Sequence, residues 1–224
     1  MLIIGIPIQL RLERPFYNLQ YLEFAAAKLT VLPKDFASKV PNVRILNLSF
    51  NSLKDISPLK GLTLLKRLFL IGNRISSLSE STETLLSLTE LQVLDLRYHP
   101  LSSLHPLFGL FTNSRLNPVT LSFYPPVEAK KSDHHKDMFS LVTGRNATST
   151  WTQRDKQFRN GMPRSWELRR KAYQGLVYTA CPRLRWFDGS EVSRGAVAEG
   201  ERVLKSLEGV VGSVKQSKRE NRAR

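Results

Sequence analysis

Two sets of residues have side-chain types that could do chemistry. The thiol of Cys181 could act as a nucleophile if an aligned base removed its proton. Cys181 lies at the end of a predicted helix, however, where packing is the favoured role. His134 and His135, between Asp133 and Asp137, could ligate a metal ion. Adjacent ligands in a Ser- and Lys-rich stretch are more typical of a solvated loop than of an ordered three- or four-ligand site.

The sequence offers little else that points to catalysis. It contains no phosphate-binding glycine loop of the Walker or dinucleotide type and no G-x-S-x-G elbow. Residues 146–148 match an N-glycosylation acceptor, which matters only in a secreted protein. The sequence therefore predicts a protein that is not an enzyme and that needs no cofactor and no metal.

The elements that would position any binding residue are repeats. The pattern L-x-x-L-x-L-x-x-N-x-L occurs in four copies, which begin at residues 19, 43, 65 and 91. The spacings of 24, 22 and 26 residues are typical of leucine-rich repeats. Ala27 in the first copy and His99 in the fourth replace the asparagine. The pattern predicts an α/β solenoid with a parallel sheet on its concave face and short helices or irregular returns on its convex face.

The repeat has a physical explanation. Each copy forms one short strand, whose alternate side chains enter a core shared with neighbouring coils. The asparagine stands where the strand ends and the chain bends. We expect Asn51 and Asn73 to bond backbone groups that the bend would otherwise leave unpaired. Ala27 cannot do this, and His99 can do it only in part.

Repeat positions 3, 5 and 7 alternate away from the leucines and predict a concave binding surface. Its apolar centre is Ile45, Phe69, Ile71 and Val93. If this surface is open, Phe69→Ala and Arg67→Glu should weaken partner capture without unfolding the domain. The alternative is that the chain's own residues 127–163 cover it. The complete predicted surface is Tyr21, Glu23, Ile45, Asn47, Arg67, Phe69, Ile71, Val93, Asp95 and Arg97, with Tyr98 at the rim.

The chain divides into five predicted parts. Residues 1–18 supply a leading strand and loop, and residues 19–126 hold the repeats, with a fifth coil beginning at residue 116. Residues 127–163 form a loop insertion that contains a short helix over 151–158. Residues 164–208 form a helix and a C-terminal cap, and residues 209–224 form a basic disordered tail.

The cap has a recognisable local pattern. Ser165 is a plausible N-cap for a helix that ends before Pro182. Phe187 copies repeat position 4 in a last strand, and Asp188-Gly189 predicts a tight turn. A weak helix is expected over residues 192–207, where two glycines lower the helix propensity.

Composition limits the class of protein and its partners. The net charge is +15, and residues 128–224 contribute +10 of it from 21 basic and 11 acidic side chains. Such a charge favours acidic partners. A single cysteine excludes an internal disulfide and favours a reducing compartment. The apolar start at residues 1–10 is too short to span a bilayer, so membrane insertion is not expected.

Several stretches carry a more specific resemblance. Pro182-Arg-Leu-Arg-Trp-Phe187-Asp-Gly189 resembles the C-terminal cap of intracellular leucine-rich-repeat proteins. The stretch Pro118–Pro126, the repeat sequences 46–51, 56–59 and 68–74, and the segments 154–158, 169–173 and 180–182 together resemble one fungal family. That family is the spindle-pole-body scaffold of the septation-initiation and mitotic-exit pathways, and the resemblance covers residues 19–192.

The resemblance implies a scaffold without enzymatic activity. Its expected location is the cytoplasm and cytoskeleton, at the spindle pole body, and its expected partners are pole-body anchor proteins or signalling components. The alternative is an RNA-associated module of a ribonucleoprotein, which would use the basic second half. Nucleic acid is disfavoured, because the basic residues lack interleaved aromatic side chains for base stacking.

Overall fold

The repeats form one continuous sheet in the computed structural model of the chain. The structure describes residues 12–75, 81–99 and 149–220, with the backbone alone for 149–152 and 208–220. A six-stranded sheet has its strands in chain order from β1 to β6. The strands are β1 (Tyr21–Glu23), β2 (Ile45–Asn47), β3 (Arg67–Phe69), β4 (Val93–Asp95), β5 (Trp186–Phe187) and β6 (Ser190–Glu191).

The register of the sheet follows the repeat. Strands β1 to β5 are parallel, and Leu22, Leu46, Leu68, Leu94 and Phe187 align across them. Those side chains point to one side and, from Leu46 onward, are buried in the core. The leucine-rich solenoid is thereby confirmed. Phe187 occupies repeat position 4 of a last parallel strand, as predicted, although some 90 residues separate it from β4.

The return segments are short and contribute the opposite wall of the core. They contain α1 (Phe36–Lys39), a 3-10 turn (Ser57–Leu59) and α2 (Thr82–Ser87). Phe36, Leu59 and Leu85 are buried there. Each coil thus closes on apolar side chains contributed by both its strand and its return, and neighbouring coils share them.

The described residues after the repeats contain three helices: α3 (Ser149–Asn160), α4 (Arg164–Ala180) and α5 (Arg194–Glu220). Helix α3 confirms the predicted helix in the insertion. Helix α4 begins one residue earlier than predicted and has Pro163 as its N-cap, so the assignment of Ser165 as the N-cap is wrong. Proline is compatible with this position because an N-cap needs no helical backbone N–H bond. Helix α5 runs beyond the predicted end at 207 and includes residues placed in the basic tail.

The predicted turn of the cap is a two-residue hairpin loop. Asp188 and Gly189 both have positive φ, at 50° and 77°, and connect β5 to the antiparallel strand β6. Positive φ at both central residues is the mark of a type I′ turn, which Asp-Gly favours.

Some predictions lie outside the described residues. These are the leading strand over residues 1–10, the fifth coil from residue 116, most of the insertion and the histidine pair at 134–135. Within the described part of the chain, no helix is both long enough and apolar enough to cross a bilayer.

Candidate functional site

The bend of each coil is fixed by a side chain that bonds two coils at once. Asn51 Oδ1 accepts the Leu29 N–H at 2.9 Å, and Asn51 Nδ2 donates to Phe24 O and Leu48 O, both at 2.8 Å. Leu29 and Phe24 belong to the preceding coil, and Leu48 belongs to the same coil. One buried amide therefore bonds three backbone groups, which is the geometry expected at the bend of the repeat.

Asn73 repeats this geometry one coil later. Its Oδ1 accepts the Leu53 N–H at 3.0 Å, and its Nδ2 donates to Leu48 O at 2.9 Å and Leu70 O at 2.8 Å. Leu48 O is thus shared by Asn51 and Asn73. We call this chain of shared bonds the amide ladder.

His99 continues the amide ladder with one bond fewer. Its Nδ1 accepts the Ile75 N–H at 3.1 Å, and its Nε2 lies 2.7 Å from Leu70 O. Because Nδ1 accepts, Nε2 carries the proton and donates. His99 makes no bond to Leu96 O, the carbonyl equivalent to the one that each asparagine bonds in its own coil. The prediction of partial replacement is confirmed.

The ladder predicts a loss of stability in mild acid. Burial lowers the pKa of His99 to about 4, against the opposing influence of Leu70 O and Asp95. The pKa of His99 is lower in the folded state than in the unfolded state. The contribution of His99 to stability is therefore full above pH 6.5 and falls as the pH drops towards 4. Between pH 7 and pH 5 the wild type should lose about 2 kcal/mol more unfolding free energy than His99→Asn, measured by urea denaturation. Parallel pH curves for the two proteins would contradict this assignment.

The C-terminal cap is bonded to the fourth coil through Asp188. Asp188 Oδ1 accepts the Leu96 N–H at 2.6 Å, and its Oδ2 accepts the hydroxyl of Tyr173 in α4 at 2.7 Å. The Tyr173 and Tyr178 rings pack on Phe187, with centroids 5.3 and 5.8 Å away. These contacts support the predicted structural importance of Phe187 and the Asp188-Gly189 turn, and they connect the cap helix to the fourth coil.

The middle of the concave face, at repeat positions 5 and 7 of the second to fourth coils, is closed. Phe69 is 0% exposed and Ile71 is 2% exposed. The expectation that these two side chains form an open apolar patch is wrong, because both are buried. Phe69→Ala would therefore remove core packing and test stability rather than binding.

The polar residues predicted beside that patch are also buried. Asp95 and Arg97 form a two-pronged ion pair, with Nε–Oδ1 and Nη2–Oδ2 distances of 2.9 and 2.7 Å. Burial alone would lower the pKa of Arg97, but the charge and hydrogen bonds of Asp95 raise it. Asn47 is 1% exposed and donates to Glu23 at 3.2 Å. These groups satisfy one another and do not present free donors or acceptors to a partner.

One row of the predicted surface remains accessible. It is repeat position 3, where each parallel strand begins, and we call it the leading row. Tyr21 is 42% exposed, and the others are half-buried. The row is aligned strand by strand, so its members are direct neighbours across the sheet. Its members are Tyr21, Ile45, Arg67, Val93 and Trp186.

The other predicted surface residues lie near this row or at its rim. Glu23 is exposed and accepts a short hydrogen bond from the Tyr21 hydroxyl, and Tyr98 is half-buried. Burial and the neighbouring Glu23 raise the pKa of Tyr21 to about 12, which keeps its hydroxyl protonated. Trp186 is not among the residues predicted for the binding surface. The spacing of Leu184 and Phe187 as repeat positions 1 and 4 already placed Trp186 at position 3.

The described residues contain no cluster of three or more potential metal ligands. Cys181 is buried, and burial raises the pKa of its thiol to about 12. A thiol that stays protonated at neutral pH is a poor nucleophile, and its sulfur lies 3.8 Å from Leu85 O in the packed interior.

Comparison with known families agrees with the repeats. The leucine rich repeat family matches residues 17–75. A solved internalin structure from Listeria monocytogenes is 18% identical with a TM-score of 0.35, and the match covers 81% of this chain and 51% of that one. The fold assignment itself rests on the parallel sheet and the amide ladder. The chain has the leucine-rich-repeat fold.

Within that class, one scaffold protein is similar over most of the chain. The match to the septation initiation network scaffold protein cdc11 of Schizosaccharomyces pombe is 33% identical over 191 residues, which is 85% of this chain. It confirms the resemblance drawn from the sequence. The chain spans 17% of the length of that relative, about one sixth.

Proposed function

We propose that this chain is a protein-interaction module of a septation-initiation scaffold, without enzymatic activity. The similarity to the cdc11 scaffold supports the pathway. The leading row supports the mode of action, because it presents Tyr, Trp and Arg side chains, the types most often found at interaction hot spots. The proposed partners are pole-body anchor proteins or signalling components, and the proposed location is the spindle pole body.

The observation that carries this proposal is the contrast between the two parts of the concave face. The side chains at its centre are buried, while Tyr21, Arg67 and Trp186 remain accessible along the row of parallel strands. A rigid row of this kind can hold an extended segment or a helix at fixed spacing without ordering a loop, which lowers the entropic cost of binding. No observation on the described residues favours the RNA alternative.

Partner capture by the tagged chain in dividing cells tests the proposal. Purification followed by mass spectrometry should recover septation-initiation or pole-body proteins with the wild type. Tyr21→Ala should lower that recovery roughly five- to tenfold, as expected for an exposed aromatic anchor. Tyr17→Ala is the matched control, because Tyr17 is 64% exposed but precedes β1 and lies outside the leading row.

Recovery of ribonucleoproteins instead of pathway proteins would contradict the proposed function. Equal recovery with wild type and Tyr21→Ala would contradict the use of the leading row. Thermal melting of each purified variant shows whether the substitutions leave the fold intact.

A further inference from the structure

The leading row is bordered by a line of basic side chains. Arg44, Lys66 and Arg185 immediately precede β2, β3 and β5. Arg44 and Arg185 are exposed and Lys66 is half-buried. None of the three has an ion-pair partner within the part of the chain that the structure describes. We call these three residues the basic margin.

Backbone hydrogen bonds place the basic margin in one continuous line across the sheet. Lys66 N–H donates to Arg44 O at 2.8 Å, Gln92 N–H donates to Lys66 O at 2.9 Å, and Arg185 N–H donates to Gln92 O at 2.8 Å. The basic residues are therefore held at strand spacing, about 4.8 Å or a multiple of it. Their arrangement is a consequence of the repeat and not of chance crowding on a flexible loop.

Among the described residues, Glu23 and Glu191 lie beside the leading row, and neither forms an ion pair with the basic margin. Glu23 is engaged by the Tyr21 hydroxyl and the Asn47 amide at one end. Glu191 is exposed opposite Trp186 at the other end. The cations therefore extend from β2 to β5, with Arg67 also in the leading row, and the aromatic side chains of Tyr21 and Trp186 stand at the two ends of that row.

We propose that the leading row and the basic margin together bind an acidic polypeptide segment with an apolar residue at each end. This proposal rests on the proposed function and adds the chemical class of the partner. The central Asp or Glu residues would face the basic margin and Arg67, and the apolar ends would pack on Tyr21 and Trp186. Five strands span roughly 20 Å, which an extended segment of about six residues crosses.

Fluorescence anisotropy with a defined peptide tests this proposal. The probe is a labelled ten-residue peptide with four central Asp and Glu residues between a Phe and a Leu. Wild-type protein should bind it, and a peptide with Asn and Gln in place of Asp and Glu should bind roughly tenfold more weakly. Arg44→Glu combined with Arg185→Glu should weaken binding of the acidic peptide by at least about tenfold.

The matched control is Lys54→Glu combined with Arg74→Glu. Both residues are exposed, and both follow the strands at the opposite margin, where Arg74 N–H donates to Leu53 O at 2.8 Å. The control carries the same change in net charge and should alter binding less than about threefold, through general electrostatics alone.

Equal loss in both double variants would overturn the proposal, because it would show a nonspecific charge effect. So would failure of the acidic peptide to bind, or preferential binding of oligouridylate or phosphatidylserine vesicles through the basic margin. If Arg44→Glu with Arg185→Glu still captures pathway proteins from cells as wild type does, the partner chemistry is wrong and the proposed scaffold function stands. If wild type captures no such proteins, the scaffold function itself fails.

Discussion

Replacing Asn73 by alanine is expected to lower the free energy of unfolding by about 3 kcal/mol. The substitution leaves the Leu53 N–H without its acceptor in a region where Asn73 is only 3% exposed. It also removes the Asn73 amide as a donor to Leu48 O and to Leu70 O. Leu48 O then keeps only its bond from Asn51, and Leu70 O keeps only its bond from His99. One orphaned donor and two lost bonds, shared between adjacent coils, explain the size of the effect.

Asn42→Ala is the control for this substitution. Asn42 donates one hydrogen bond to Tyr17 O at 2.7 Å in an exposed position, where water can replace it. Its loss should cost less than about 1 kcal/mol. Urea denaturation of the two variants gives the comparison, and equal costs would show that the amide ladder adds nothing beyond ordinary surface bonding.

Gly175→Ala is expected to destabilise the cap by about 3 kcal/mol or more. Helices α4 and α5 cross backbone to backbone at this point. A Cβ atom added to Gly175 would lie 2.4 Å from Gly200 O, and one added to Gly200 would lie 2.9 Å from Gly175 N. The obstruction is main chain rather than a movable side chain, so the helices must separate. Separation would also disturb the ion pair between Lys171 and Glu199 at 3.2 Å.

Gly195 provides the matched control within α5. A Cβ there meets only the Ser193 hydroxyl oxygen, at 3.9 Å. Gly195→Ala should therefore stabilise the protein by up to about 1 kcal/mol through helix propensity. If chemical denaturation showed the two Gly→Ala variants shifting in the same direction, close contact between α4 and α5 would be contradicted.

The repeats and their bends were predictable because local sequence determines both. Leucine spacing decides which side of each strand enters the core, and an amide at the bend is the short side chain that can bond three backbone groups at once. Even the partial role of His99 followed from its chemistry, since a neutral imidazole has one donor and one acceptor. Phe187 and the Asp188-Gly189 turn could be placed for the same reason.

The closed centre of the concave face was not predictable in this way. Strand alternation gives the direction of Phe69 and Ile71, but it does not tell whether another part of the chain lies over them. The pairing of Asp95 with Arg97 was hidden for a related reason, because two charged residues at alternate strand positions are equally typical of an exposed surface. Only their burial shows that they satisfy each other.

The helix crossing could not be predicted for a different reason. Glycine lowers helix propensity, and Gly200 therefore predicts a weak helix. In the fold it permits the close approach of α4 and α5, and tertiary packing outweighs the propensity cost. The apposition of Gly175 and Gly200 depends on the relative placement of two helices, which a single sequence does not specify.

Thiol labelling tests most directly whether the leading row is the open part of the concave face. Ile45→Cys and Ser49→Cys place a thiol at positions 3 and 7 of the same coil, the first half-buried and the second in place of a side chain that is 0% exposed. In each protein the native Cys181 is buried and serves as the slow internal reference. A maleimide reagent should label Ile45→Cys in the folded protein and label Ser49→Cys only at the rate of unfolding. Labelling of both positions at similar rates in the folded protein would show an open concave centre and contradict the account.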